Sequence, residues 1–268
     1  MRSIIRGRAV LLVLAFTIAA CSTVPITGRK QLSLIPASEM FSMSYAEYGE
    51  FLKANKLSTN QQQTTMVKSV GAKIQRAVET YFKQKGLADA LSGYKWEFNL
   101  VESEDINAWC MPGGKVVVYS GILPVTKNET GLAVVMGHEI AHAVAEHGNE
   151  RMSQGLLAQL GGMALSEALS KETDKTRALW STAYGLGAQV GVLLPFSRTQ
   201  ESEADHLGLV FMAMAGYDPK EATVFWQRMS AQSGGGAPPE FLSTHPSDET
   251  RIANLQRLVP EAMQYYKK

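Results

Sequence analysis

The sequence predicts an α+β fold in which helices dominate and a small sheet occupies the first half of the chain. Three observations predict it. Met66, Val70, Ile74, Val78 and Phe82 recur every four residues, which is a core-facing helical stripe. Tyr94 to Val101 alternates, with Trp96, Phe98 and Leu100 on one side and Lys95, Glu97 and Asn99 on the other. From Asn128 onward the chain is a succession of helical patterns punctuated by Gly and Pro.

Taken in order, the chain opens with Arg2, Arg6 and Arg8, followed by an apolar run from Ala9 to Ala20. That run has the length of a signal-peptide core and is too short to span a bilayer. It ends Ile18-Ala19-Ala20-Cys21, which resembles the lipobox of bacterial lipoproteins, so Cys21 is the expected site of lipidation. Several acyl chains give stable anchoring. Ser22 follows the cysteine. By resemblance to enterobacterial lipoproteins this implies the periplasmic face of the outer membrane of a cell envelope. Ser22 to Pro36 is polar and Pro/Gly-punctuated and reads as a tether. The expected organisation is a signal peptide over 1–20, a lipid-anchored tether over 21–36 and one domain over 37–268.

Ser38 reads as the N-cap of a first helix, and Ser58-Thr59-Asn60 as the start of the second. Asn107 to Cys110 and Lys115 to Tyr119 read as extended, broken by Met111-Pro112-Gly113-Gly114. Asn128 to His147 reads as one helix ended by Gly148. Gly131 and Gly137 inside it each cost about 1 kcal/mol against Ala, so something approaches the helix closely there or bends it. Ala178 to Phe196 carries no charge, but its Ser, Thr, Tyr, Gln and Gly residues favour a core helix over a membrane span. Helices are further expected over Glu201 to Ala215, Lys220 to Gln232 and Pro246 to Leu258. A flexible loop is expected over Ser233 to Pro239.

Composition excludes some functions. With 26 Lys+Arg against 25 Asp+Glu, the net charge is +1, and no bulk field suggests nucleic acid as a partner. Two cysteines exclude a disulfide framework. With Cys21 lipidated, Cys110 reads as a small half-buried thiol in a strand.

The chemistry concentrates at His138-Glu139-Ile140-Ala141-His142. Residues four apart on a helix differ by about 40° in azimuth, so both imidazoles project from one face and can bind one Zn²⁺. Glu139 sits between them, placed to take a proton from water beside the metal. A catalytic zinc needs a third protein ligand, and Glu201 in Glu201-Ser202-Glu203-Ala204-Asp205 is the better choice. Asp205, four residues on, shares its face and suits the N–H of a ligating histidine. By the same geometry His147, His206 and Glu203 face elsewhere and read as surface residues.

The two motifs together resemble the HtpX-, BepA- and LoiP-type zinc metallopeptidases, whose superfamily includes the CAAX prenyl proteases. Asn107-Ala108-Trp109 with Pro112-Gly113-Gly114, Pro195-Phe196-Ser197-Arg198, and Thr244-His245-Pro246 with Arg251 extend the likeness over most of the chain. The single-domain, LoiP-like lipoprotein type fits best. The resemblance implies a gluzincin fold, with the active helix beside a small mixed sheet whose edge strand receives substrate. That strand is expected at Lys115, Val116 and Val117, or at its neighbour, Asn107 and Ala108. The resemblance also brings His245 near the zinc, as a catalytic stabiliser of the oxyanion or as an inhibitory fourth ligand.

The reading is a zinc-dependent endopeptidase, with one Zn²⁺ per chain, that degrades misfolded or misassembled envelope proteins. Its partners would be those substrates, the membrane through the lipid, and the envelope assembly machinery. The alternative is a zinc-containing assembly factor or chaperone with blocked protease activity. Glu139→Gln separates the two, since a pure binder has no need of a base.

Overall fold

The computed structural model describes residues 21–25, 27–170, 173–174, 176–178, 181, 194–232, 239–245 and 249–266. The chain divides into two compact units, 1–37 with 146–198, and 38–145 with 199–268. The expected signal peptide over 1–20, most of the uncharged 178–196 run and the 233–238 loop lie outside the described residues. Among the described residues no helix is long and apolar enough to cross a membrane.

The first unit holds a short antiparallel hairpin, β1 (Cys21–Thr23) and β2 (Lys30–Leu32). Gly28 turns it at φ 69°. Glycine adopts that conformation without strain. The expected tether is therefore an ordered ribbon over much of its length. Arg29 forks onto Glu150 at 2.7 and 2.8 Å. Asn149 donates to the Ile35 carbonyl at 2.7 Å and to Ser33 at 3.0 Å.

In the second unit, α1 (Ala37–Ala54) and α2 (Gln61–Gln84) lead into a three-stranded sheet. Asn60 caps α2 by accepting from the Gln63 N–H at 3.1 Å. The stripe Val70, Ile74, Val78 and Phe82 is fully buried, joined by Val67 rather than by Met66. The strands are β3 (Glu97–Val101), β4 (Ala108–Met111) and β5 (Lys115–Tyr119), in spatial order β3-β5-β4. β5 runs parallel to β3 and antiparallel to β4, so the sheet is mixed, as expected. Gly113 and Gly114 make the β4–β5 turn at φ 84° and 85°. A Cβ on either would overlap the ring of Tyr45 or Trp96, so both the backbone and the packing require glycine there. Strand alternation sorts the residues by face. Val101, Trp109, Met111, Val117 and Tyr119 pack with Tyr48, Phe51 and Leu52 of α1.

Among the described residues, the helices that follow include α3 (Leu123–Thr126), α4 (Glu129–Val144), α5 (His147–Ala168), α6 (Leu194–Met214) and α7 (Glu221–Ala231). Two more, α8 (Glu240–Thr244) and α9 (Glu249–Ala262), close the described chain. The expected single helix over 128–147 is divided. Glu146 takes the left-handed conformation at φ 58°, so α4 stops and His147 opens α5. This corrects His147 from a surface residue to one at 0 % exposure.

Candidate metal centre

The centre lies in the second unit and begins with the capping of α4. Asn128 Oδ1 accepts from the Gly131 N–H at 3.0 Å, and Glu129 in the first turn favours the helix dipole. Every residue from Gly131 to Val144 is buried. Gly137 meets Gly208 of α6, where an added Cβ on either would lie 3.0 Å from the other helix's backbone. That close approach is what the costly glycine inside α4 permits, and it carries Glu201 and Asp205 up to the two histidines.

His138, His142, Glu201 and His245 then converge, their ligand atoms all within 4.8 Å of one another. His138 Nε2 stands 3.1 Å from His142 Nε2, 3.2 Å from His245 Nδ1 and 3.3 Å from Glu201 Oε2. His142 Nε2 lies 3.2 Å from Glu201 Oε1, and His245 Nδ1 2.9 Å from the same oxygen. A tetrahedral zinc with bonds of about 2.0–2.1 Å holds its ligands about 3.3 Å apart. The five spacings just given, 2.9–3.3 Å, lie close to that edge length. Three imidazoles and a carboxylate are also the donor types zinc takes. The residues present thus fit the metal.

The surroundings tune these donors. Asp205 Oδ1 lies 3.0 Å from His138 Nδ1, the arrangement that fixes a ligand histidine's tautomer and turns Nε2 inward. Burial opposes protonation of His138, but the bonds to Asp205 and Glu201 outweigh it and raise its pKa to about 9. Burial would raise Glu201, yet hydrogen bonds from His138, His142 and His245 hold it well below the usual carboxylate range. Burial pushes Asp205 the same way, and the Arg251 charge with the His138 bond overcomes it, so its pKa is lowered.

Glu139 is buried beside the cluster, its Oε1 3.3 Å from His245 Nε2. His245 follows α8 and stands between Glu139 and Glu201, one ring nitrogen toward each. Its Nδ1 is one of the four clustered ligand atoms.

Two expectations need correction. Lys115, Val116 and Val117 cannot accept an added strand, because β5 is the central strand and is bonded on both sides. The edge strand on the Asn107 side is β4. Tyr119 N–H donates to the Asn107 carbonyl at 3.1 Å, which sets the phase of the ladder. Trp109 and Met111 therefore bond to β5, while the backbone groups of Ala108 and Cys110 point away from it. Asn107 Oδ1 accepts from the Ala108 N–H at 2.8 Å. Glu203, expected in solvent, is buried. His206 is half-buried and meets Glu261 at 3.0 Å.

Cys110 lies on the α4 side of β4, half-buried, and burial together with the Glu139 charge raises its thiol pKa well above the ordinary value. Cys21 begins β1 and is exposed. Arg251 is the participant that residue spacing did not single out. It lies at 7 % exposure against Asp205, and no periodic pattern marks a buried arginine.

Known proteins bear on this centre. The sequence profile of peptidase family M48 matches residues 68–259. The chain is 33 % identical over 242 residues to mitochondrial metalloendopeptidase OMA1 of Schizosaccharomyces pombe, covering 89 % of this chain and 66 % of that protein. It is 33 % identical to the Bos taurus protein of that name, over 94 % of this chain and 49 % of the relative. It is 32 % identical to the β-barrel assembly-enhancing protease of Escherichia coli, over 60 % of this chain and 34 % of the relative. The chain thus spans two thirds or less of each relative's length.

These relatives overturn the expected location at the periplasmic face of a bacterial outer membrane. Those matched over 89 % and 94 % of this chain are mitochondrial proteins. The argument from Ser22 is an enterobacterial sorting rule with no bearing on their compartment. A cationic, acid-free start followed by apolar residues suits more than one kind of targeting segment, which is why it misleads.

Proposed function

The chain belongs to peptidase family M48, and from that premise we propose that it is a zinc-dependent endopeptidase whose catalytic base is Glu139. The cluster of ligand atoms from His138, His142, Glu201 and His245 carries this reading. His138, His142 and Glu201 would hold the metal, and Asp205 would orient His138. Bound zinc supplies Lewis acidity to the scissile carbonyl and the attacking water. Glu139 takes the proton of that water and returns it to the departing amine. The edge of β4 offers the backbone of Ala108 and Cys110 to an extended peptide, which takes the Ala108 N–H over from the Asn107 side chain. Main-chain bonding there reads backbone rather than sequence and suits many unfolded substrates.

The position of His245 favours a closed resting state. His245 would then occupy the place a water needs beside a bound metal, and cleavage would require that side chain to withdraw. The substrate class we propose is unfolded or misassembled protein at a membrane. It is supported by the backbone-reading edge and by relatives named for enhancing β-barrel assembly. The blocked-site alternative, an assembly factor that rarely cleaves, rests on the same histidine.

Zinc content and casein cleavage of the full chain test these readings together. Glu139→Gln keeps one zinc and loses about 10²–10⁴-fold in cleavage rate. His245→Ala keeps the metal and cleaves faster than the native chain. Cleavage undiminished in Glu139→Gln would remove Glu139 as the base. Absence of cleavage in both the native chain and His245→Ala would favour the assembly factor.

A further inference from the structure

Arg251 touches several parts of the centre at once. Its Nε donates to Asp205 Oδ2 at 2.8 Å and its Nη2 to Asp205 Oδ1 at 2.7 Å. The two bonds make a fork that fixes the carboxylate's plane as well as its position. Its Nη1 lies 3.2 Å from Glu201 Oε2 and donates to the His245 carbonyl at 3.3 Å. The guanidinium sits 3.5 Å from the Trp226 ring centroid, and Trp226 in turn packs edge-on to His138. Metal ligand Glu201, orienting carboxylate Asp205 and the backbone of His245 therefore meet on one rigid cation.

Resting on the zinc reading above, we propose that Arg251 is the positioning residue of the metal centre, acting chiefly through Asp205. The fork holds the Asp205 carboxylate in the plane from which it meets His138 Nδ1 at 3.0 Å. The other arm draws Glu201 Oε2 and the His245 carbonyl to one nitrogen. Arg251 is thus the common support of two metal ligands and of His245. A lysine in its place keeps the charge but not the planar fork, so it cannot reproduce the geometry. Arg251 does not touch the scissile bond, so its removal acts on the metal before it acts on the reaction.

The test follows metal rather than turnover. The full chain, native and as Arg251→Lys, Arg251→Gln, Asp205→Asn and the Arg251→Gln/Asp205→Asn double variant, is loaded with Zn²⁺ or Co²⁺. Zinc release to a chelator and the visible Co²⁺ spectrum are recorded, with thermal unfolding as the check on folding. Release is expected to quicken about 10–100-fold in Arg251→Lys and Arg251→Gln, as for other residues that orient metal ligands. The Co²⁺ bands shift. The double variant releases metal no faster than Asp205→Asn alone, because the two act in series. Native release and spectrum in a folded Arg251→Lys would overturn the proposal while the metal reading stands. Effects that multiply in the double variant would overturn the route through Asp205. A native chain that takes up neither metal would overturn both.

Discussion

Among the described residues each unit holds a buried polar cluster, and their contrast separates structure from chemistry. In the first unit, donors face acceptors. Arg29 forks onto Glu150, Leu34 N–H donates to Ser153 Oγ at 2.9 Å, and that hydroxyl donates to Asn149 Oδ1 at 3.1 Å. Such a network holds chain segments together and needs nothing further. In the second unit, imidazole nitrogens and carboxylate oxygens crowd together, with pairs of them 2.9–3.3 Å apart. Lone pairs that converge call for a cation. Burial opposes the charged form of His138, yet Asp205 and Glu201 beside it raise its pKa to about 9.

Breaking each cluster should therefore do different things. The largest effect is expected at the metal. His142→Ala removes one of the cluster's two α4 imidazoles, and zinc measured per chain falls from one to near none. Arg29→Ala removes the guanidinium fork from Glu150, whose side chain is 1 % exposed. Its expected cost is about 3 kcal/mol of stability in chemical denaturation, with zinc content unchanged. Loss of zinc from Arg29→Ala would erase the contrast. Gly208→Ala sharpens it from another side. The added methyl meets the His138 backbone at 3.0 Å. About 1–3 kcal/mol is then lost and zinc is released faster, although no ligand is touched. At the small end, Lys53→Ala removes an exposed pair with Glu50 and leaves zinc content at the native value. The same denaturation measurement should move by less than about 0.5 kcal/mol, as for other exposed pairs.

What was legible in the sequence follows from the same distinction. The pairs His138/His142 and Glu201/Asp205 are each four apart on one helix, and local periodicity reports such pairs directly. Their meeting depends on the Gly137–Gly208 crossing, which the sequence marked only as a glycine that cost something. Helix-period stripes revealed α2, but alternation cannot report strand order. Residues 115–117 therefore read as an edge when they lie at the centre of the sheet. His147 was misplaced because azimuths were carried through Glu146, where a left-handed residue ends the helix. The β1–β2 ribbon has strands of three residues, too short for any period to show. Arg251 drew no attention from spacing because its importance lies in simultaneous contacts with α6, α7 and the residue that follows α8.

Zinc-edge X-ray absorption on the full chain, purified without chelator, tests the metal centre most directly. The four-donor cluster predicts one zinc per chain, bound by three imidazole nitrogens and one carboxylate oxygen at about 2.0–2.1 Å. A chain without stoichiometric metal, or a zinc shell containing the sulfur of Cys110, would contradict it.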